Sequence, residues 1–298
     1  MIQLSIGIIG LDTSHVVVFT KLLNDSNNPY YIKGGKVVIA FRGGSDDFEL
    51  SKTRAEKFTN ELRDNYAIEI VLSIKDVVKN SDAILLESVD GAVHYRQLKE
   101  IIAWKKPIFV DKPFSLNTKE AKKMVELATD HGTPLMSSSA LRFSESLTRI
   151  LQNSEKGEVI GADCFGPMEL NQAGYFWYGI HTVEMLFVIL GQGAKSVKTV
   201  KTADHDVLTA VWNDGRIGTV RGNRKGNNQF GAVIHFEKGS EYVNVDLDIK
   251  PYYASLLEQI MKFFADGKTR VPLEETIEII RFIEAATESS CSGKEVII

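Results

Sequence analysis

Lys112 stands in Asp111-Lys112-Pro113, directly after the apolar run Pro107-Ile108-Phe109-Val110. That run has the residue types of a short buried strand, and Pro113 ends the ladder because it has no N–H to donate. A lysine at the carboxyl end of a strand in an open α/β sheet lies where such sheets bind ligands. There it can contact a ligand or hydrogen-bond a reacting hydroxyl. Taken alone, Lys112 reads more simply as a solvated turn residue, so its surroundings decide.

A second group of candidates surrounds the first strand and helix. Ile6-Gly7-Ile8-Ile9-Gly10 followed by a helix occupies the place of a dinucleotide fingerprint, G-x-G-x-x-G. Aligned on Gly10, the second glycine position holds Asp12 and the third holds His15. A carboxylate suits a helix start but repels an incoming pyrophosphate. Thr13 and Ser14 offer hydroxyls and backbone N–H groups to a phosphate; equally, Asp12 or Thr13 simply caps the helix. After the second strand, where an acid would bind an NAD ribose, the sequence reads Arg42-Gly43-Gly44-Ser45. Arg42 there suits a 2′-phosphate, which favours NADP over NAD; the plain alternative is a surface arginine beside a glycine turn. In the second half, Gly174-Tyr-Phe-Trp-Tyr-Gly179 sets four aromatic rings just before His181. Such faces stack on sugar rings and on nicotinamide, or else fill a core.

The elements that must position these residues follow from periodicity. Strands are expected over 4–9, 36–41, 68–72, 83–87, 108–110 and 133–138. Helices are expected over 14–23, 51–65, 73–80, 94–104 and 117–131, the last with Asn117 or Thr118 as cap and Gly132 as stop. Repeated βα alternation predicts a doubly wound parallel sheet. From about Leu141 the pattern changes to period-two strands over 159–165, 196–202, 206–212, 217–221, 232–236 and 241–245, with helices over 144–153, 180–190, 253–264 and 274–290. Asn213-Asp-Gly215 and Lys238-Gly239 read as hairpin turns. The fold class expected is therefore α/β: a Rossmann-like domain over residues 1–140 and an α+β domain with a mainly antiparallel open sheet over 141–298.

Composition narrows the function classes. The chain has 298 residues, 44% hydrophobic and 25% charged, with net charge −4, which suits two domains of an ordinary globular protein and gives no reason to expect nucleic acid. The amino terminus lacks a signal peptide's basic region and cleavage site, and no apolar run approaches a membrane span. Cys164 and Cys291 lie far apart without CxxC spacing, as in a reduced cytoplasmic protein. None of the six histidines shows an HxxxH or acid-rich pairing, so no metal is expected, and His205 between Asp204 and Asp206 reads as an exposed turn.

Together, the strand-turn Ile6–Gly10, Asp82-Ala-Ile-Leu-Leu86 leading to His94, Phe109-Val-Asp-Lys-Pro113, residues 135–142, Gly179-Ile-His181, and the ending Glu284-Ala-Ala…Ser289…Gly293-Lys resemble the glucose–fructose oxidoreductase / inositol dehydrogenase / MocA (Gfo/Idh/MocA) family over nearly the whole chain. The resemblance implies an NAD(P)-dependent oxidoreductase acting on a sugar, cyclitol or related hydroxyl, with an open sheet that builds homodimers or homotetramers. Its catalytic lysine matches Lys112, with Asp111 where the family has Glu. Its catalytic histidine matches His181, but Trp177 stands where the family has an Asp four residues earlier, and Glu184, at i+3 from His181, is the candidate replacement. The cofactor set implied is Gly10, Asp12, Thr13, Ser14, Arg42, Ser88, His94 and Asp111, with His94 either touching cofactor or capping its helix. Trp177, Tyr178 and Arg142 are the substrate candidates, Arg142 equally able to pair with an acid. The departures from the family pattern leave two other readings open: a non-catalytic relative that binds a sugar-like ligand or a protein, and a lyase or epimerase with a retained nucleotide.

Overall fold

Ile6, Ile8 and Ile9 are wholly buried, as a strand flanked by partners on both sides requires. They belong to β1 (Leu4–Ile9) in a computed structural model that describes residues 3–298. The chain divides into two units. One comprises the chain up to Ser138 together with Leu256–Leu273; the other comprises Ser139–Ser255 and Glu274–Ile298.

In the first unit β1 is followed by α1 (His15–Asn24), β2 (Gly35–Phe41), α2 (Glu49–Tyr66), β3 (Glu69–Val71), α3 (Ile74–Lys79) and β4 (Ala83–Leu86). Then come α4 (His94–Ile101), β5 (Ile108–Val110), α5 (Thr118–His131) and β6 (Leu135–Ser137). All five strand pairings are parallel, in the order β3-β2-β1-β4-β5-β6. This is the doubly wound Rossmann order, with its reversal between β1 and β4. Helix α5 shows why the local sequence folds as expected: Asn117 accepts the Glu120 N–H at 2.8 Å, and Gly132 closes the helix at φ 63°.

The second unit contains α6 (Glu145–Leu151), β7 (Val159–Pro167), α7 (Gly179–Leu190), β8 (Ala194–Lys201), β9 (His205–Trp212), β10 (Ile217–Asn223), β11 (Gly231–Phe236) and β12 (Gly239–Asn244). After α8 (Tyr252–Asp266), within which the division between units falls, come α9 (Leu273–Ser292) and β13 (Val296–Ile297). Its sheet runs β12-β11-β7-β10-β9-β8-β13. The pairings are antiparallel except β7 with β10, which is parallel. Helix α7 is apolar almost all round and buried along its length. His205 is a correction: it is the half-buried first residue of β9, paired with Asn223, and not an exposed turn. Among the described residues no helix is long and apolar enough to cross a membrane.

Candidate active site

The carboxyl ends of β1, β4 and β5 bring the first unit's candidates together. Gly10 has φ 92°, and a Cβ there would lie 2.4 Å from the Ser88 backbone nitrogen. Only glycine suits both the conformation and the gap. Gly43, at φ 53°, is also tight: a Cβ there would meet Gly10 Cα at 3.1 Å. Gly43 therefore packs against the backbone of the β1 turn, and Gly44, at φ 103°, against the Ser51 hydroxyl.

Asp12 is buried rather than facing an incoming phosphate. Its Oδ1 accepts the Val89 N–H at 2.9 Å and its Oδ2 accepts the Ser51 hydroxyl at 2.6 Å. The carboxylate thus ties the β1 turn to the end of β4 and to α2. Burial pushes its pKa above the usual range, against the hydrogen bonds from Ser51 and Val89. Asp12 does not cap the helix, whereas Thr13 Oγ1 accepts the His15 N–H at 3.5 Å. Ser14 holds the N-cap position without a side-chain cap bond, and its side chain is exposed at the helix start. Thr13 is buried, and Arg42 is exposed.

His94 is wholly buried, with Nε2 2.7 Å from the Ser88 carbonyl and Nδ1 3.2 Å from the Phe114 carbonyl. The ring thus lies between the backbone of the loops after β4 and β5. Ser88 Oγ accepts the Gln97 amide N–H at 2.9 Å. Beside these loops lies a cavity of about 510 Å³, lined by Gly43, Gly44, Asp46, Lys75, Arg96 and Gln97 among others. Sequence reasoning missed Lys75 and Arg96, which become neighbours of the β2 end only through the sheet order.

Asp111 and Lys112 follow β5 and are both buried. Burial lowers the Lys112 pKa, against the charges of Asp111 and Glu87. Burial alone would raise the Asp111 pKa, but His15 and Lys112 hold it below the usual range. His15 Nδ1 is 2.8 Å from Asp111 Oδ2 and 3.9 Å from Glu87 Oε2. Glu87 had no role in the sequence reading. Its burial, together with the charges of Asp111 and Asp12, holds its carboxyl well above the usual range.

In the second unit, His181 and Glu184 share the first turns of α7, and Ser139 links them. Ser139 Oγ lies 2.7 Å from His181 Nδ1, while the Ser139 N–H donates to Glu184 Oε1 at 2.8 Å. Arg142 donates from Nε to Glu184 Oε2 at 2.9 Å and from NH2 to Glu275 Oε1 at 2.5 Å. Arg142 is thereby held inside an ion-paired triad, the pairing with acids that was one of its two sequence readings. Burial pushes the Glu184 carboxyl above its usual range, against Arg142 and Ser139, and the neighbouring Glu275 charge adds a smaller push in the same direction. The His181 ring meets Tyr178 and Phe230 edge-on at 6.1 and 5.8 Å. Trp177 is buried and packs against Tyr178, which is half-buried. Ser139 was missed, although it lies within the segment 135–142 that carries part of the resemblance.

The comparisons agree with this architecture. Residues 35–139 match the GFO_IDH_MocA family, described as an oxidoreductase family with an NAD-binding Rossmann fold. No curated protein matches the chain. Among solved structures, myo-inositol 2-dehydrogenase from Lactobacillus plantarum superposes with a TM-score of 0.80 at 17% identity, covering 99% of this chain and 99% of that one. Myo-inositol dehydrogenase from Lactobacillus casei, in complex with NAD(H) and myo-inositol, gives 0.78 at 15%, covering 100% and 97%. Apo scyllo-inositol dehydrogenase from the same organism gives 0.81 at 13%, covering 99% and 98%. At these identities the likeness is one of fold. Within residues 35–139 the chain is thus similar to an oxidoreductase family with an NAD-binding Rossmann fold.

Proposed function

We propose that the protein is an NAD(P)-dependent oxidoreductase acting on the hydroxyl of a sugar, cyclitol or related compound, or on the corresponding ketone. The observation that carries this reading is Lys112, buried beside Asp111 at the carboxyl end of β5 in a sheet of Rossmann order. The residues present fit a dinucleotide. Gly10 permits the tight turn, exposed Ser14 starts α1, and Asp12 turns its oxygens inward to Val89 and Ser51. The cavity beside the β2 end offers Arg96 and Lys75 to a phosphate and Asp46 to a ribose. Two cations there, with exposed Arg42 nearby in sequence, favour NADP.

Nicotinamide, when bound, supplies hydride exchange with the substrate carbon. Lys112 hydrogen-bonds the substrate oxygen and stabilises negative charge on it. His181 takes or gives the hydroxyl proton. Ser139 holds His181, and Glu184 with Arg142 holds Ser139, so Glu184 acts on the histidine through an intermediary. Trp177 and Tyr178 provide stacking faces for a sugar ring. Titrating the purified protein with NADPH and NADH, followed by nicotinamide fluorescence, should give saturable binding with NADPH the tighter. Lys112→Met should then lower turnover by about 100-fold or more. Unchanged turnover removes Lys112 from the reaction.

Trp177, where a catalytic carboxylate would stand, favours the second reading, a non-catalytic binder or a lyase or epimerase that keeps its nucleotide. Absence of binding to either dinucleotide up to millimolar concentration supports the binder; a nucleotide released on denaturation and identified by mass supports the lyase or epimerase. The protein is assigned to the cytoplasm, in keeping with Cys164 and Cys291 remaining unpaired. It is also assigned as a homo-oligomer, because Val200, Ile217 and Tyr242 of the second unit's sheet are more than half exposed.

A further inference from the structure

The register of the Rossmann sheet assembles a group that the hydride chemistry does not use. Leu86 pairs with Val110 across β4 and β5, so the next residues, Glu87 and Asp111, end neighbouring strands side by side. Both strand ends continue the ladder, the Glu87 N–H donating to the Ile9 carbonyl and the Asp111 N–H to the Leu86 carbonyl. His15, at the start of α1, reaches over the same two strand ends. Its Nδ1 is 2.8 Å from Asp111 Oδ2 and 3.9 Å from Glu87 Oε2. All three residues are buried, and one ligand atom from each lies within 4.8 Å of the others.

Glu87 is the informative member. It has no exposed surface, and among the described residues neither of its carboxylate oxygens accepts a hydrogen bond. A buried carboxylate left so is costly unless a cation or metal meets it. The third buried carboxylate nearby, Asp12, accepts from Val89 and Ser51, whereas neither oxygen of Glu87 has such a donor among the described residues.

We propose that His15, Glu87 and Asp111 form a binding site for one divalent cation in the first unit. An imidazole with two carboxylates is a donor set for Mn²⁺, Fe²⁺ or Zn²⁺. With metal–ligand bonds of about 2.1 Å, opposite ligands lie about 4.2 Å apart, and the two separations from His15 fit within that span. The cation would hold the ends of β4, β5 and α1 at one point, whatever reaction the protein performs.

The test needs no substrate. The purified protein, freed of metal by chelation, is titrated with Mn²⁺ by electron paramagnetic resonance and with Zn²⁺ by calorimetry. One saturable site per chain is expected, together with a metal-dependent rise in melting temperature. Glu87→Gln keeps the shape and removes a buried charge, so it should fold while weakening Mn²⁺ affinity at least 10-fold. His15→Asn should do the same. Asp204→Asn, at an exposed acid, should leave the affinity unchanged. Absence of saturable binding below about 1 mM, or equal affinity in wild type and Glu87→Gln, overturns the site. Binding that Asp204→Asn weakens as much as Glu87→Gln marks adventitious surface association and overturns it too.

Discussion

Ser139 is the residue through which the second unit's histidine is held. Its hydroxyl meets His181 Nδ1, and its N–H is fixed by Glu184, which Arg142 holds in turn. Ser139→Ala removes the bond to the ring and the long cap bond from the Leu141 N–H but leaves the backbone bond to Glu184, so the fold should survive. Turnover is expected to fall about 10-fold with substrate KM nearly unchanged, and the limb of the pH–rate profile that reports the histidine should move. Ser139→Thr should restore both. A parallel fall in melting temperature with an unmoved pH profile would assign Ser139 to packing alone. Asp12 yields a prediction of different kind. Burial raises its pKa in the folded state, so folding takes up a proton in the window above the ordinary carboxylate range. Stability from this group is therefore greatest at low pH and is lost as pH climbs through the raised value. A dinucleotide at the neighbouring turn prefers the neutral carboxyl, so NADPH should bind more tightly as pH falls from neutrality. Asp12→Asn should tighten binding at neutral pH and flatten that dependence; an unaltered slope would show that Asp12 does not feel the ligand.

At the scale of elements, strands and helices were legible where side-chain pattern and turn chemistry agree. β1 and β5 are apolar runs ended by Gly10 and by Asp-Lys-Pro, and α5 has its Asn117 cap and Gly132 stop. β13 was not legible, since two residues carry no period. Nor was the parallel pairing of β7 with β10, because alternation states which face a side chain takes but not which strand lies beside it. The same gap hid Glu87, which matters only once register places it next to Asp111. It also hid the two carbonyl partners of His94, which belong to separate loops. Gly10 was legible for half its reason. The turn needs its positive φ, but the closeness of Ser88 comes from the β1–β4 pairing. Gly10→Ala should therefore cost at least about 2 kcal/mol in urea denaturation. It should also weaken dinucleotide binding, because the Ser88 loop must move. A cost of only a few tenths of a kcal/mol would mean that the contact relaxes freely.

At the scale of the whole molecule, the second unit's sheet raises the question of what covers its outer face. Cross-strand register sets Val200 beside Val207, and Phe165 beside Arg221 and Gly231. Phe165 also stacks on Tyr242 with ring centroids 6.1 Å apart. Val200, Ile217 and Tyr242 are 59, 54 and 54% exposed. Large side chains of this kind spread over one sheet face are more than scattered surface apolars, and they suit a self-complementary interface between two copies. Charged residues lie on the same face at Asp163 and His235, 2.9 Å apart. A hydrogen-bonded pair can stay paired in an interface, whereas an added unpaired charge cannot. Light scattering should find a species of twice 33.2 kDa or a higher even multiple. Val200→Lys with Ile217→Lys should shift it toward the single chain without lowering helix content by circular dichroism, since neither side chain enters the core. A wild-type protein that remains a single chain at tens of micromolar would leave this face without a second copy as its partner.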